Sequence, residues 1–82
     1  MFHVYILYSE KCDRHYIGYA SDIQARLIRH NAGLVAATKN CRPYTISAFK
    51  SFATETEARK EEYRIKKQKS RKYIEYLIAG NW

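Results

Sequence analysis

The first eight residues constrain the fold more than any other segment of the chain. Phe2 to Tyr8 is rich in aromatic and β-branched residues, which is typical of a β-strand. Side chains alternate along a strand, so the even positions share one face, while His3, Tyr5 and Leu7 share the other. The polar segment from Ser9 to His15 predicts a turn. Tyr16 to Ala20 then predicts a second short strand, antiparallel to the first.

The middle of the chain predicts one helix and a third strand. Ser21 or Asp22 is suited to cap a helix that runs to about His30. Gly33 suits the left-handed position that follows such a helix. Residues 34–43 predict a loop. The third strand is expected at residues 44–52, and one of its faces should carry four apolar or aromatic side chains: Tyr44, Ile46, Ala48 and Phe52.

Two further helices are predicted after the third strand. Thr54 followed by Glu57 forms a capping box for a helix that ends near Lys69. Ser70 is suited to cap a last helix, Arg71 to Ala79, closed by Gly80. The order β-β-α-β-α-α predicts an α+β fold, with a small three-stranded antiparallel sheet flanked by helices. A chain of 82 residues is expected to form a single domain, residues 1–82.

Charge indicates the class of partner. Fifteen lysines and arginines against eight acidic residues give a net charge of +7. Such an excess favours a polyanion, first nucleic acid and second an anionic membrane surface. No apolar run approaches the ~20 residues that span a membrane, and no secretory signal is visible at the N-terminus. The sequence therefore predicts a cytoplasmic protein without a membrane partner.

The two cysteines, Cys12 and Cys41, are far apart and are not accompanied by a histidine cluster. This spacing argues against a zinc site. In a reducing cytoplasm we expect two free thiols.

Three groups of residues are candidates for chemistry. Helical spacing places Arg26 and His30 on one face, either as part of a solvated basic face or aimed at one phosphate. Glu62 lies on the apolar stripe of its helix, where a carboxylate needs a cationic partner or a metal ion. Its neighbour Glu61 should face water. The third group is the tyrosine pair Tyr5 and Tyr16, on neighbouring strands, where cross-strand packing is the alternative to a catalytic role.

The ordered set of motifs resembles the GIY-YIG nuclease superfamily, and specifically its small stand-alone members, including UPF0213-like proteins. The resemblance runs from Val4 to about Ile78. It is carried by Tyr16-Ile17-Gly18-Tyr19, Arg26-Leu27, His30-Asn31, Gly33, Arg42-Pro43, Ala58, Glu62 and Lys66. The first motif departs from the family pattern, since it reads His3-Val4-Tyr5 rather than Gly-Ile-Tyr. Its tyrosine is the functional part.

The resemblance implies a metal-dependent DNA endonuclease that hydrolyses phosphodiester bonds, in DNA repair or recombination. It implies that Glu62 holds Mg²⁺ or Mn²⁺, and one carboxylate suits magnesium, which keeps several waters. Tyr5 and Tyr16 would orient the attacking water, and one would act as base if a nearby cation lowers its pKa. Arg26, aided by His30, would stabilise charge on the phosphoryl group. Three basic residues are expected to contact DNA: Lys39, Arg42 and Lys66.

Other readings of the chain are weaker. The main alternative is a nucleic-acid-binding module with the nuclease fold and little or no cleavage, because fold does not guarantee activity. A basic protein-interaction or membrane-surface domain would not explain Glu62 on the apolar stripe. In the basic run from Arg59 to Lys72, the face formed by Lys60, Arg64 and Lys67 is expected to be solvated. Trp82 is expected to fray. Sequence specificity should be low, or supplied by DNA structure or a protein partner.

Overall fold

The computed structural model describes residues 1–82. Three strands form one antiparallel sheet: β1 (Phe2–Ser9), β2 (Arg14–Ala20) and β3 (Thr45–Phe52). β1 lies in the centre and β2 and β3 form the two edges. The helices are α1 (Ile23–Asn31), α2 (Glu55–Gln68) and α3 (Arg71–Tyr76). The predicted α+β class, element order and three-stranded antiparallel sheet are confirmed.

The caps read from the sequence define the helix starts. The side chain of Asp22 accepts a hydrogen bond from the Ala25 amide, so it is the N-cap of α1. Thr54 caps α2 through the Glu57 amide, and Ser70 caps α3 through the Tyr73 amide. These side chains satisfy backbone donors that the first helical turn leaves unpaired.

The central strand separates two apolar clusters. On one face, Val4, Ile6 and Ile17 pack with Ala58 and Ile65 of α2 and with Leu77. On the other face, Tyr5, Leu7 and Tyr44 are buried, and Ile23 and Leu27 of α1 pack against them. This is the alternation predicted for the first strand, with helices on both sides of the sheet.

A β-bulge changes the third strand. Ile6 pairs with Ala48, but the next residue, Leu7, pairs with Ile46, so Ser47 is an extra residue. An inserted residue switches the faces of the strand on either side of it. The prediction of one continuous apolar face was therefore wrong: Tyr44 and Ile46 pack on the Tyr5 side, whereas Ala48 and Phe52 pack on the Val4 side.

Cys12 and Cys41 form a disulfide, so the prediction of two free thiols was wrong. Their separation of 29 residues gave no sign of proximity. The turn after β1 brings them together, because the Ser9 hydroxyl donates to the Cys41 carbonyl and accepts from the Cys12 amide. The cross-link ties the β1–β2 turn to the loop before β3.

The C-terminus also differs from the prediction. α3 ends at Tyr76 and continues as a π-helical turn, Leu77–Asn81, rather than as α-helix to Ala79. Gly80 has a left-handed, non-helical backbone, as expected for the residue that closes this helix. Trp82 does not fray, since it packs against the Val4-side cluster and its indole N–H donates to Glu61 at 2.8 Å. None of the helices combines the length and apolar character needed to cross a membrane.

Candidate active site

Tyr5 and Gly18 form the floor of the candidate site. They are direct partners across β1 and β2. A Cβ atom at position 18 would lie 2.6 Å from Cζ of Tyr5 and closer still to its hydroxyl. Glycine in a strand often marks such a close approach. The absent side chain therefore creates the space that the Tyr5 ring occupies.

His30 is fully buried above this floor. Its Nε2 lies 3.2 Å from the hydroxyl of Tyr5, and its Nδ1 lies 2.7 Å from Oγ1 of Thr38. The Thr38 hydroxyl donates to the carbonyl of Val35, so Nδ1–H is the donor toward Thr38. Nε2 is then the acceptor for the Tyr5 hydroxyl. Hydrogen bonding thus assigns the tautomer and uses both ring nitrogens within the protein.

The electrostatics agree with a neutral histidine. Burial, followed by the charges of Arg26 and Arg29, holds the pKa of His30 below its usual range. In the protein without substrate, Tyr5 and Thr38 occupy both ring nitrogens of His30, so neither is free to bind a phosphate. Thr38 escaped the sequence analysis, since a threonine in an irregular loop gives no signal of its own.

Burial also fixes the protonation of Tyr5. It raises the pKa of the phenol, and the nearby guanidinium of Arg26 only partly opposes this effect. The negative charge of Glu62 acts in the same direction as burial. Tyr5 is therefore a protonated donor to His30 at neutral pH, because the lowering effect of Arg26 on its pKa is smaller than the raising effect of burial.

Tyr16 is more open than Tyr5. Its ring lies 4.9 Å from the His30 ring, centroid to centroid, and the ammonium group of Lys66 lies 5.7 Å from its own ring centre. Tyr16 is only partly buried. Of the two tyrosines expected to orient water, Tyr16 is the one whose surroundings leave access from solvent.

Arg26 is a partly buried cation without an acid partner. No ion pair in the protein includes Arg26, and its Nε is buried with no hydrogen-bond partner. An unpaired buried donor costs free energy. An anion bound beside Arg26 would offset that cost.

Glu62 lies between Ala58 and Ile65 on the stripe of α2 that meets the sheet, as predicted. Its side chain is 20% exposed, and its carboxylate lies 3.6 Å from the ammonium group of Lys66. No group of three or more histidine, cysteine, aspartate or glutamate side chains surrounds it. One carboxylate with room for water suits Mg²⁺ or Mn²⁺ and not a zinc-type site.

Glu61 does not face water, so the prediction that it would was wrong. Its side chain is 15% exposed. Its carboxylate accepts two hydrogen bonds from Arg64 and one from Trp82. The Arg64 guanidinium holds the pKa of Glu61 below its usual range. Arg64 also donates to Tyr73, so it is not part of a purely solvated face. Glu61 is thus a structural anchor for the C-terminus.

The three residues expected to contact DNA fall in two places. Lys66 belongs to the cluster around Tyr16 and Glu62. Lys39 and Arg42 lie on the loop that carries Thr38, and neither bonds to the cluster. The Arg42 guanidinium covers Gly33, which has the left-handed conformation predicted for it.

Asn31 anchors that loop to α1. Its side-chain amide donates to the carbonyl of Tyr44 and accepts from the Tyr44 amide. The resemblance included Asn31 in its motif without a role. The geometry shows that it fixes the end of the loop whose Thr38 holds His30.

Comparison with known proteins identifies the family of the chain. A family model described as the GIY-YIG catalytic domain matches residues 1–74. A UPF0213 protein of Halobacterium salinarum is 41% identical over 81 residues, covering 95% of this chain and all of the relative. A UPF0213 protein of Staphylococcus epidermidis is 39% identical over 79 residues, covering 93% of this chain and 96% of the relative.

A solved structure shares the fold. The solution NMR structure of a UPF0213 protein from Bacillus halodurans has a TM-score of 0.59 and 31% sequence identity, covering 96% of this chain and 84% of the other. Residues 1–74, which match the model of the GIY-YIG catalytic domain, contain every candidate site residue described above. The chain belongs to the GIY-YIG nuclease family, as a small member similar to the UPF0213 proteins.

Proposed function

We propose that this protein is a divalent-metal-dependent DNA endonuclease that hydrolyses phosphodiester bonds. The observation that carries the proposal is Arg26: a partly buried cation with no acid partner, beside Tyr5, whose phenol is also affected by the charge of Glu62. A phosphate is the anion that this arrangement suits, because arginine presents paired donors to its oxygens. The net charge of +7 favours a polyanionic substrate.

The roles of the residues follow from their contacts. Tyr16 orients the attacking water, since it is the accessible tyrosine. Tyr5 and His30 are positioning residues: the buried Tyr5–His30–Thr38 chain fixes the wall against which the Tyr16 ring rests. Arg26 stabilises the charge that develops on the phosphoryl oxygens.

Glu62 is the residue that would hold a metal ion, Mg²⁺ or Mn²⁺. When bound there, such an ion supplies Lewis-acid stabilisation of the leaving oxygen. Lys66 keeps the Glu62 carboxylate in place in the free protein through its ion pair. Lys39 and Arg42, on the exposed loop, add attraction for the DNA backbone. A role in repair or recombination, with specificity from DNA structure or a protein partner, fits a small nuclease domain of this kind.

The test is incubation of the purified protein with supercoiled, linear, branched and single-stranded DNA, in magnesium, manganese or EDTA. We expect nicking or cutting with either metal and none in EDTA. The Arg26→Ala and Glu62→Gln variants serve as controls for a contaminating nuclease, because both should be inactive. DNA binding without cleavage under all conditions would contradict the proposal and support a nucleic-acid-binding module.

A further inference from the structure

A cleft adjoins the candidate active site. It lies between the start of β2 and the junction of α2 and α3, and its volume is about 480 Å³. Its base is apolar, formed by Ile17, Ile65 and Ile74. Tyr16 and Lys66 belong both to this cleft and to the site around Glu62. A substrate held near Tyr16 therefore has direct access to the cleft.

The walls of the cleft are cationic. Asp13 is its only carboxylate, and the Arg71 guanidinium neutralises it through an ion pair of 2.6 Å. The side chains of two further cations, Arg14 and Lys69, make no hydrogen bond and no ion pair, and both residues are exposed. The cleft thus holds two uncommitted positive charges in addition to Lys66. This excess favours an anionic ligand.

His15 contributes shape rather than charge. Its ring packs 5.0 Å from the ring of Tyr8, and burial followed by the charge of Arg71 holds its pKa below the usual range. The positive charge of the cleft is therefore carried by the three flexible side chains of Arg14, Lys66 and Lys69. Flexible cations over an apolar base suit a backbone phosphate with its attached sugar.

The position of the cleft gives a direction to the bound strand. β2 is an open edge of the sheet, and the cleft lies at the beginning of this strand. At the end of the strand, Arg26 and Arg29 line another cleft. The seven residues of β2 extend roughly 20 Å. Over that length one strand of B-DNA advances by about six nucleotides. Tyr16 and Gly18 lie between the two ends.

We propose that the cleft lined by Arg14, Lys66 and Lys69 binds backbone phosphates of the DNA strand on one side of the scissile bond, with the strand following the β2 edge. This inference rests on the proposed function, since it takes DNA as the substrate of the same site. It adds Arg14 and Lys69 to the residues expected to contact DNA.

The test compares two double variants that each remove two positive charges. Arg14→Gln with Lys69→Asn removes the uncommitted cations of the cleft, and asparagine tolerates the left-handed backbone at position 69. Lys60→Gln with Lys72→Gln is the matched control, because both lysines are exposed and lie outside the cleft. Fluorescence anisotropy with a labelled duplex in EDTA gives the affinity over a range of salt concentrations.

Each phosphate contact contributes about 0.9 to the slope of log affinity against log salt. We expect the cleft variant to reduce this slope by about 1.8 and to weaken binding about tenfold at moderate salt, with little change of slope in the control. Amide NMR shifts of the parent protein on adding the same DNA should concentrate at residues 14–17 and 66–71. This second measurement does not depend on any substitution.

The outcomes separate the two proposals. If the parent protein binds and cuts DNA but both double variants have the same slope, and the shifts avoid the cleft, the strand does not pass through it. If the parent protein shows no salt-dependent DNA binding, the proposed function fails and the cleft proposal fails with it. If the cleft variant binds DNA weakly while its circular dichroism matches that of the parent protein, the result supports DNA binding in the cleft.

Discussion

The hydroxyl of Tyr5 lies 3.2 Å from Nε2 of His30, although the two residues are 25 positions apart in the chain. This contact joins the central strand of the sheet to the helix that covers it. Both residues are buried, so the pair does not meet the substrate directly. It sets the position of the neighbouring Tyr16 ring and depends on Thr38, which holds the other nitrogen of the imidazole.

The Thr38→Val substitution tests this dependence. Valine keeps the shape of threonine but leaves Nδ1 of His30 without an acceptor, which should lower the free energy of unfolding by about 1–3 kcal/mol. We expect a lower cleavage rate at saturating enzyme, with unchanged DNA affinity. Thr45→Val is the control, because Thr45 is exposed at the start of β3. Equal cleavage by the two variants would show that the histidine needs no partner.

The architecture was readable because local signals agreed with one another. Alternation in β1, the caps Asp22, Thr54 and Ser70, and the turn at Gly33 are properties of short segments, and each short segment carries its own evidence. The clustering of Tyr5, Arg26 and Glu62 was suggested only by the family resemblance. Their spacing in sequence, on three different elements, does not determine which side chains meet.

Three of the features that escaped prediction depend on contacts between distant segments. The disulfide between Cys12 and Cys41 and the bond from Trp82 to Glu61 form only when the sheet and helices are assembled. The bulge at Ser47 arises because β3 must match the register of β1 on both sides of it. No local sequence pattern predicts the disulfide, the Trp82–Glu61 hydrogen bond or the bulge.

Acid should destabilise the protein between pH 7 and pH 5. The pKa values of His30 and His15 are lowered in the folded state, chiefly by burial. Below the unfolded pKa of about 6.5, the unfolded chain binds protons that the folded chain excludes. Stability is therefore complete above that pH and falls as the pH approaches the lowered folded values.

Urea unfolding at several pH values measures this effect. We expect the His15→Gln variant to retain part of the pH dependence, because His30 still titrates. If that variant shows no change in stability from pH 7 to pH 5, His30 is not held neutral by its surroundings. More acidic conditions are outside the test, because the lowered pKa values of Asp13 and Glu61 add a pH dependence of their own there.

The two neighbouring glutamates should separate catalysis from stability. Glu62→Gln is expected to abolish metal-dependent cleavage while leaving folding and DNA binding intact, because the carboxylate is the metal-binding group in the proposed mechanism. Glu61→Gln removes the charge that pairs with Arg64. It should lower the melting temperature and leave cleavage nearly normal below it. Cleavage assays and thermal unfolding of both variants measure these effects. If Glu61→Gln abolished cleavage and Glu62→Gln only lowered the melting temperature, the metal would be assigned to Glu61.

Arg26→Lys should reduce cleavage nearly as much as Arg26→Ala. If Arg26 only attracted DNA, lysine would preserve its charge and most of the activity. An arginine that stabilises the transition state instead presents planar, paired donors to the phosphoryl oxygens, and a single ammonium group does not reproduce them. Loss of such a contact costs roughly 3–4 kcal/mol, or about 10²–10³ in rate.

The matched control for Arg26 is Arg29→Lys on the same helix, because Arg29 is exposed and has no role in the proposed chemical step, while lysine keeps its charge. Single-turnover cleavage at saturating enzyme measures the rate, and binding in calcium measures affinity while suppressing turnover. We expect all three variants to bind DNA nearly as well as the parent protein, since one phosphate contact among several contributes little in the ground state. An Arg26→Lys variant that cuts within about threefold of Arg29→Lys, well inside the loss expected for a transition-state contact, would return Arg26 to a role in simple charge attraction.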